Sequence, residues 1–140
     1  MLRFTRRSEY GLMALTYLGQ RAGEFGSVRA IVEELNIPKR LLAEVLKDLA
    51  KEGLVDSVRG PGGGYKLTRH PSQVSLADVV EALEGPMQIS DCGTDNCSLA
   101  MSCLIQNGIS RVGQEIHSIL QNHTLADMTA QPRDIPTLTV

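Results

Sequence analysis

The sequence predicts a mainly α-helical fold with one small β-hairpin, and three features carry that expectation. Apolar residues recur at three- and four-residue spacing through several stretches, as helix faces require. A glycine-rich segment, Arg59-Gly60-Pro61-Gly62-Gly63-Gly64, separates two short strand-like runs. Aromatic residues are only 4% of the 140 residues and Trp is absent, which argues against an aromatic-rich sandwich.

Residues 8–21 carry Leu12, Leu15 and Leu18 with Met13 and Tyr17 beside them, a helix with a broad apolar face that Gly23 and Gly26 end. Ser27 is a good N-cap for a second helix from Val28 to Leu35, with Val28, Ile31, Val32 and Leu35 inward. Asn36-Ile37-Pro38 breaks it. Pro38 then stands at or next to the start of a third helix, which runs to about Glu52, buries Leu42, Val45, Leu46 and Leu49, and closes at Gly53.

Leu54–Val58 and Gly64–Thr68 read as strands around the glycine turn. Helix, short turn, helix and then a β-hairpin describe a winged helix-turn-helix. Ser75 with Asp78 forms a capping-box pattern for a fourth helix through Leu83, ended by Gly85-Pro86.

From about Leu104 to His123, Ile105, Ile109, Val112, Ile116 and Ile119 follow a heptad-like spacing of 4, 3, 4 and 3. A seam this narrow suits a partner-facing helix, so a homodimer with its two-fold axis near this helix is expected. Gly108 and Gly113 within it are compatible with close backbone approach. The expected organisation is a winged helix-turn-helix over 1–72, a connecting helix and cysteine loop over 73–103, a dimerisation helix and short following helix over 104–128, and a flexible tail over 129–140.

Charge is divided along the chain. Residues 1–70 hold twelve Lys and Arg against eight Asp and Glu, whereas residues 71–140 hold two against eight. The net charge of −2 conceals a basic half suited to a polyanion. Double-stranded DNA is the expected partner. The start of the third helix presents Lys39, Arg40, Ala43 and Glu44, with Lys47 one turn on. Arg reads guanine bidentately, Ala meets a thymine methyl, and Glu accepts from cytosine or pairs with a neighbouring cation. On the wing, Arg59, Gly60, Gly62, Gly63 and Lys66 suit a close approach to the sugar-phosphate wall or a narrow minor groove. The bland reading of the glycines is a tight turn; a phosphate loop is excluded because neither Lys-Ser/Thr nor a helix follows.

Three cysteines, Cys92-x4-Cys97-x5-Cys103, share an aperiodic segment with Asp91, Asp95 and Asn96. An odd number argues against a disulfide framework and for a reducing, cytoplasmic setting. Zinc favours tighter pairs and four ligands. Three thiolates suit an iron–sulfur cluster with one further ligand, and on spacing alone a thiol switch or unpartnered loop cysteines stand beside that reading. Glu9, by itself, is a carboxylate favoured at a helix start. His70, His117 and His123 carry no ligand pattern.

Arg6-Arg7 with a short apolar run resembles an export signal only faintly, since Gln20 and Arg21 follow and no small-x-small site comes next. No uncharged apolar run approaches the roughly 20 residues that span a bilayer. No acid–base pair, nucleophile elbow or nucleotide loop points to an enzyme.

Leu54-Val55-Asp56-Ser57-Val58-Arg59-Gly60-Pro61-Gly62-Gly63-Gly64-Tyr65-Lys66-Leu67 closely resembles the wing of the Rrf-two family of winged-helix transcription regulators. The likeness extends over about residues 1–128, through Ser8-Glu9-Tyr10-Gly11-Leu12, Leu76–Leu83 and the three cysteines. It implies a homodimer with crossed long helices and, as in cluster-bearing members, iron ligation by Cys92, Cys97 and Cys103 near the dimer interface. The fourth ligand varies among those members. One pattern uses a His shortly after the third Cys, where this chain has Gln106. Another uses a carboxylate from the first helix of the other protomer in an Asp-Tyr-Gly context, which Glu9-Tyr10-Gly11 matches with one extra methylene. Glu9 is therefore the implied metal ligand, given in trans. The first cysteine gap is one residue shorter than usual, and the cluster type, 2Fe-2S or 4Fe-4S, stays open. The implied function is a repressor sensing iron–sulfur, redox or nitric-oxide status; the alternative is a cluster-free regulator answering to thiol oxidation or a small ligand.

Overall fold

The computed structural model describes residues 2–21, 23–90, 97–99 and 102–129. Cys92, with Asp91, Asp95 and Asn96, and the expected tail from residue 130 lie outside the described residues.

Five α-helices and one two-stranded sheet follow in chain order among the described residues: α1 (Arg6–Gly19), α2 (Val28–Leu35), α3 (Lys39–Lys51), β1 (Val55–Val58), β2 (Gly64–Leu67), α4 (Leu76–Glu84) and α5 (Gln106–Asn122). Short 3-10 turns occur at Pro71–Gln73 and Leu125–Thr129.

The first helix begins two residues ahead of the sequence expectation because Thr5 caps it, its hydroxyl accepting from Ser8 N–H at 3.1 Å. Ser27 caps α2 through Ala30 N–H, and Asn36 ends it in the left-handed conformation at φ 54°. Pro38 takes the N-cap position of α3, where its missing N–H costs nothing. Ser75 and Asp78 form the full capping box of α4.

The strands β1 and β2 pair antiparallel, with Val55 opposite Leu67 and Val58 opposite Gly64. Gly26 adds a third edge to this hairpin: it exchanges two backbone hydrogen bonds with Tyr65, at 2.8 and 2.9 Å. The wing is thereby tied to the loop ahead of α2. Gly64 stands at φ 147° with its Cα against the Gly26 carbonyl, leaving no room for a side chain.

One core holds the parts together. Leu15 and Leu18 of α1, Ile31 of α2, Leu42, Val45, Leu46 and Leu49 of α3, Val55 of β1 and Val79 of α4 are all buried in it. Leu125 joins the same core from the 3-10 turn after α5, where its N–H donates to Val74 O. The chain so returns from α5 to the winged unit, fixed also by a Ser75–Thr124 bridge.

The last helix differs from the rest. It rests against α4, with His117 Nε2 3.0 Å from Glu81 Oε1 and Gly113 beside Ile89, yet none of its residues is fully buried. It starts at Gln106, with Ile105 at the N-cap position. A Cβ at Gly113 would meet Ile89 in ordinary van der Waals contact, whereas Gly108 faces open space within a single chain.

Candidate nucleic-acid interface and cysteine centre

The third helix divides cleanly. Leu42, Val45, Leu46 and Leu49 are buried, while Lys39, Arg40, Ala43, Glu44 and Lys47 are exposed. The 3.6-residue repeat thus turns the expected base-reading set outward as one face. The Arg40 side chain is 92% exposed, and its Nε donates to Glu44 Oε1 at 3.3 Å. Glu44 therefore answers to Arg40 in the free chain, the pairing alternative open at the sequence level. No side chain caps the start of α3, so its first N–H groups remain available to an anion.

On the wing, Arg59, Gly60 and Gly62 are exposed at the tip. Gly63 N–H donates to Gly60 O at 2.9 Å, and Gly60 and Gly62 take φ of 100° and 75°. The glycines do make the tight turn of the bland reading, and by doing so they present Arg59 on a tip where Pro61 is the only other residue with a side chain. Lys66 and Gly63 are half-buried; the Lys66 ammonium lies 4.8 Å from the Phe25 ring centroid, a cation–π contact that the sequence did not suggest.

Arg7 and Asp48 also escaped sequence reading. Arg7 Nη2 donates to Asp48 Oδ2 at 2.7 Å, joining α1 to α3. This bond, with the Asp48, Glu84 and Glu44 charges, raises the Arg7 pKa against a smaller opposing effect of burial. Only tertiary structure brings these residues together, so no local signal announced them.

Glu9 lies in the first turn of α1, where the helix macrodipole favours a carboxylate, and pairs with Arg6 at 2.9 Å. Cys97 and Cys103 are both free and half-buried in the segment ahead of α5. Such thiols are the donors that iron–sulfur clusters take, so the chemistry of the donor set fits. Among the described residues no three His, Cys, Asp or Glu gather into a metal-sized group. An iron–sulfur cluster would need donors beyond Cys97 and Cys103. The histidines have other engagements or none: His70 caps the first 3-10 turn through Ser72 N–H, His117 faces Glu81, and His123 ends α5.

Along α5 and its N-cap residue, Ile105, Val112 and Ile119 are exposed at successive seven-residue steps, with Ile109 and Ile116 half-buried between them. Beside them a groove of about 570 Å³ opens between the N-terminal arm and α5, lined by Leu2, Phe4, Val80, Met87, Ile89 and Ile116 among others. No helix among the described residues is long and apolar enough to cross a membrane.

A recognition helix with a solvent-facing polar set, a glycine-built wing and one shared core define a winged helix-turn-helix DNA-binding transcription regulator. The chain belongs to the Rrf2 family: the model of that family, described as an iron-dependent transcriptional regulator, matches residues 4–131. Solved structures agree. CymR (YrzC), the global cysteine regulator of B. subtilis, is 27% identical with a TM-score of 0.75, over 91% of this chain and 96% of that one. IscR of T. potens is 28% identical with a TM-score of 0.75, over 97% and 93%. The oxidized form of Staphylococcus aureus CymR is 25% identical with a TM-score of 0.72, over 97% and 100%.

Proposed function

We propose that this chain is a cytoplasmic homodimeric repressor whose grip on its operator is set by an iron–sulfur cluster, held by Cys92, Cys97 and Cys103 of one subunit and Glu9 of the partner subunit. The observation that carries this reading is the condition of Cys97 and Cys103, each free and half-buried in the segment ahead of α5. The iron dependence in the family description supports it, as does the exposed Ile105, Val112 and Ile119 edge of α5, which suits a second copy.

When bound, such a cluster supplies iron–ligand bonds responsive to iron supply, redox state and nitric oxide. The rest is work for the protein's own residues. Glu9 is held in the free chain by one exposed pair with Arg6, which a stronger partner displaces at little cost. Its helix, α1, packs through Leu15 and Leu18 into the core that seats Leu42 and Leu46 of α3. A pull on the Glu9 turn is therefore felt at the recognition helix. In a two-fold dimer reading half-sites about 34 Å apart, a small rotation of each winged unit prevents both recognition helices from docking together.

Gel shifts of wild type and Glu9→Ala, each with and without reconstituted cluster, test this. The proposal expects Glu9→Ala to bind DNA identically in both states. A normal response in the variant contradicts the role of Glu9.

A second reading keeps the DNA-binding half and replaces the cluster with thiol chemistry. The free state of Cys97 and Cys103 favours it equally, and one similar structure is of a CymR in oxidized form. The readings part on iron: a colourless protein with substoichiometric iron after anaerobic reconstitution supports the thiol regulator.

A further inference from the structure

The guanidinium of Arg7, in the first turn of α1, faces carboxylates from two other helices. Its Nη2 donates to Asp48 Oδ2 on α3 at 2.7 Å, and its Nε stands 3.9 Å from Glu84 Oε1 at the end of α4. Glu84 also accepts from the hydroxyls of Thr5, the cap of α1, and Ser8. On α3, Asp48 lies one turn beyond Glu44, which adds to the field at Arg7 and accepts from Arg40. A chain of carboxylates and guanidiniums so leads from the start of α1 and the end of α4 to the exposed face of α3.

We propose that Arg7 is a positioning residue for DNA reading: by holding Asp48 it fixes the roll of α3 about its own axis, and with it the direction in which Arg40 and Ala43 enter the groove. This rests on reading α3 as the recognition helix and is independent of the cluster.

The physical reason is a difference in directionality. The buried face of α3 is held by Leu42, Val45, Leu46 and Leu49, and apolar burial is non-directional. Close packing limits how far α3 can roll, and within that limit a directional contact decides. The charge-assisted hydrogen bond of 2.7 Å is that contact, because such bonds weaken steeply with angle. Asp48 is half-buried on the flank between the apolar face and the exposed one, where a tether has most leverage against roll. Both partners keep around two-fifths of their side chains exposed, at 39% and 43%, so the pair contributes little to stability. Its value is in orientation.

Arg7 has a rival role, as a direct phosphate contact, and the two roles give opposite results at Asp48. If Arg7 grips phosphate, Asp48→Ala frees its charge and tightens every duplex. If Arg7 positions α3, Asp48→Ala loosens the reading of sequence.

The full-length protein is used to select an operator from random duplexes. Fluorescence anisotropy then compares that operator with a scrambled duplex for wild type, Arg7→Met, Arg7→Lys and Asp48→Ala, with melting curves alongside. The proposal expects Arg7→Met and Asp48→Ala to lower the operator-to-scrambled affinity ratio about five- to tenfold, the scale of one weakened base contact. Scrambled binding and melting stay close to wild type, and Arg7→Lys keeps most of the ratio. An unchanged ratio in both variants overturns the proposal, as does tightening of both duplexes by Asp48→Ala. A fall in ratio that tracks lost folding, with Arg7→Lys no better than Arg7→Met, overturns it as well. A wild type that prefers no duplex overturns the recognition-helix reading itself, and the proposal with it.

Discussion

Arg40 Nε donates to Glu44 Oε1 at 3.3 Å across one turn of the recognition helix, and both side chains lie open to solvent. Glu44 thereby engages Arg40 on the exposed face of α3, the face proposed to meet DNA. An exposed pair of this kind is easily exchanged for a guanine edge. Arg40→Ala should cost about 1–3 kcal/mol at one base pair of the operator and little at the others. Binding to a panel of single-base operator variants checks this; a uniform loss across the panel marks Arg40 as a phosphate contact instead.

The wing makes a different prediction. Arg59 stands on a turn whose Gly60 and Gly62 take positive φ and carry no side chains. Arg59→Ala should weaken operator binding and relax any preference for narrow-groove sequence, and should lower the slope of log affinity against log salt by about 1. An unchanged slope excludes contact between Arg59 and the DNA backbone.

Gly64 joins the wing to the body. A Cβ there would overlap the Gly26 carbonyl, in a backbone conformation that L side chains rarely adopt. Gly64→Ala should destabilise the fold by more than about 1 kcal/mol through strain and loss of the Gly26–Tyr65 bridge. Chemical denaturation measures this, and stability equal to wild type contradicts the close approach.

These predictions rest on features of unequal visibility in the sequence. The exposed face of α3 was legible because Leu42, Val45, Leu46 and Leu49 sit at helical spacing, which forces Lys39, Arg40, Ala43, Glu44 and Lys47 to the other side. The capping box at Ser75 and Asp78 was legible because both partners are local. The start of α1 lies two residues ahead of the expected residue 8, since the apolar repeat marks the body of the helix and the Thr5 cap stands outside that repeat. The Gly26–Tyr65 bridge, the Arg7–Asp48 bond and the return of Leu125 to the core join positions distant in the chain, and nothing local encodes them. At the cysteine centre, composition shows only the donor chemistry; Cys97 and Cys103 are described and Cys92 is not.

The exposed edge of α5 predicts assembly. Ile105, Val112 and Ile119 stand 62%, 45% and 56% exposed in one chain, and Val112 is the middle of the three. A charge there would face its own copy across a two-fold axis. Val112→Glu should convert a dimer to monomer in sedimentation and weaken operator binding, while Arg111→Ala, on the neighbouring position, should do neither. A Val112→Glu protein that remains dimeric places the interface elsewhere.

Asp127 supplies a pH dependence. Its carboxylate accepts from Thr124 N–H at 2.8 Å and from the Thr124 hydroxyl, which, with the positive field of His123, holds its pKa below the ordinary carboxylate range. A carboxylate with a depressed folded pKa adds stability above its unfolded pKa of about 3.9, and that stability is lost as pH falls through the lower folded value. Asp127→Asn should therefore lose less stability than wild type on acidification below about pH 4. Melting temperatures across that range check the difference; parallel curves contradict it.

The most direct measurement of the central claim is spectroscopic: anaerobic absorption and Mössbauer spectra, with iron content, for wild type beside Glu9→Ala. The account predicts a brown wild type carrying iron–sulfur signals that fade on exposure to oxygen or nitric oxide, and a variant whose iron environment is altered at one ligand. Identical spectra for the two proteins remove Glu9 from the ligand set, and a colourless, iron-poor wild type after reconstitution contradicts cluster sensing altogether.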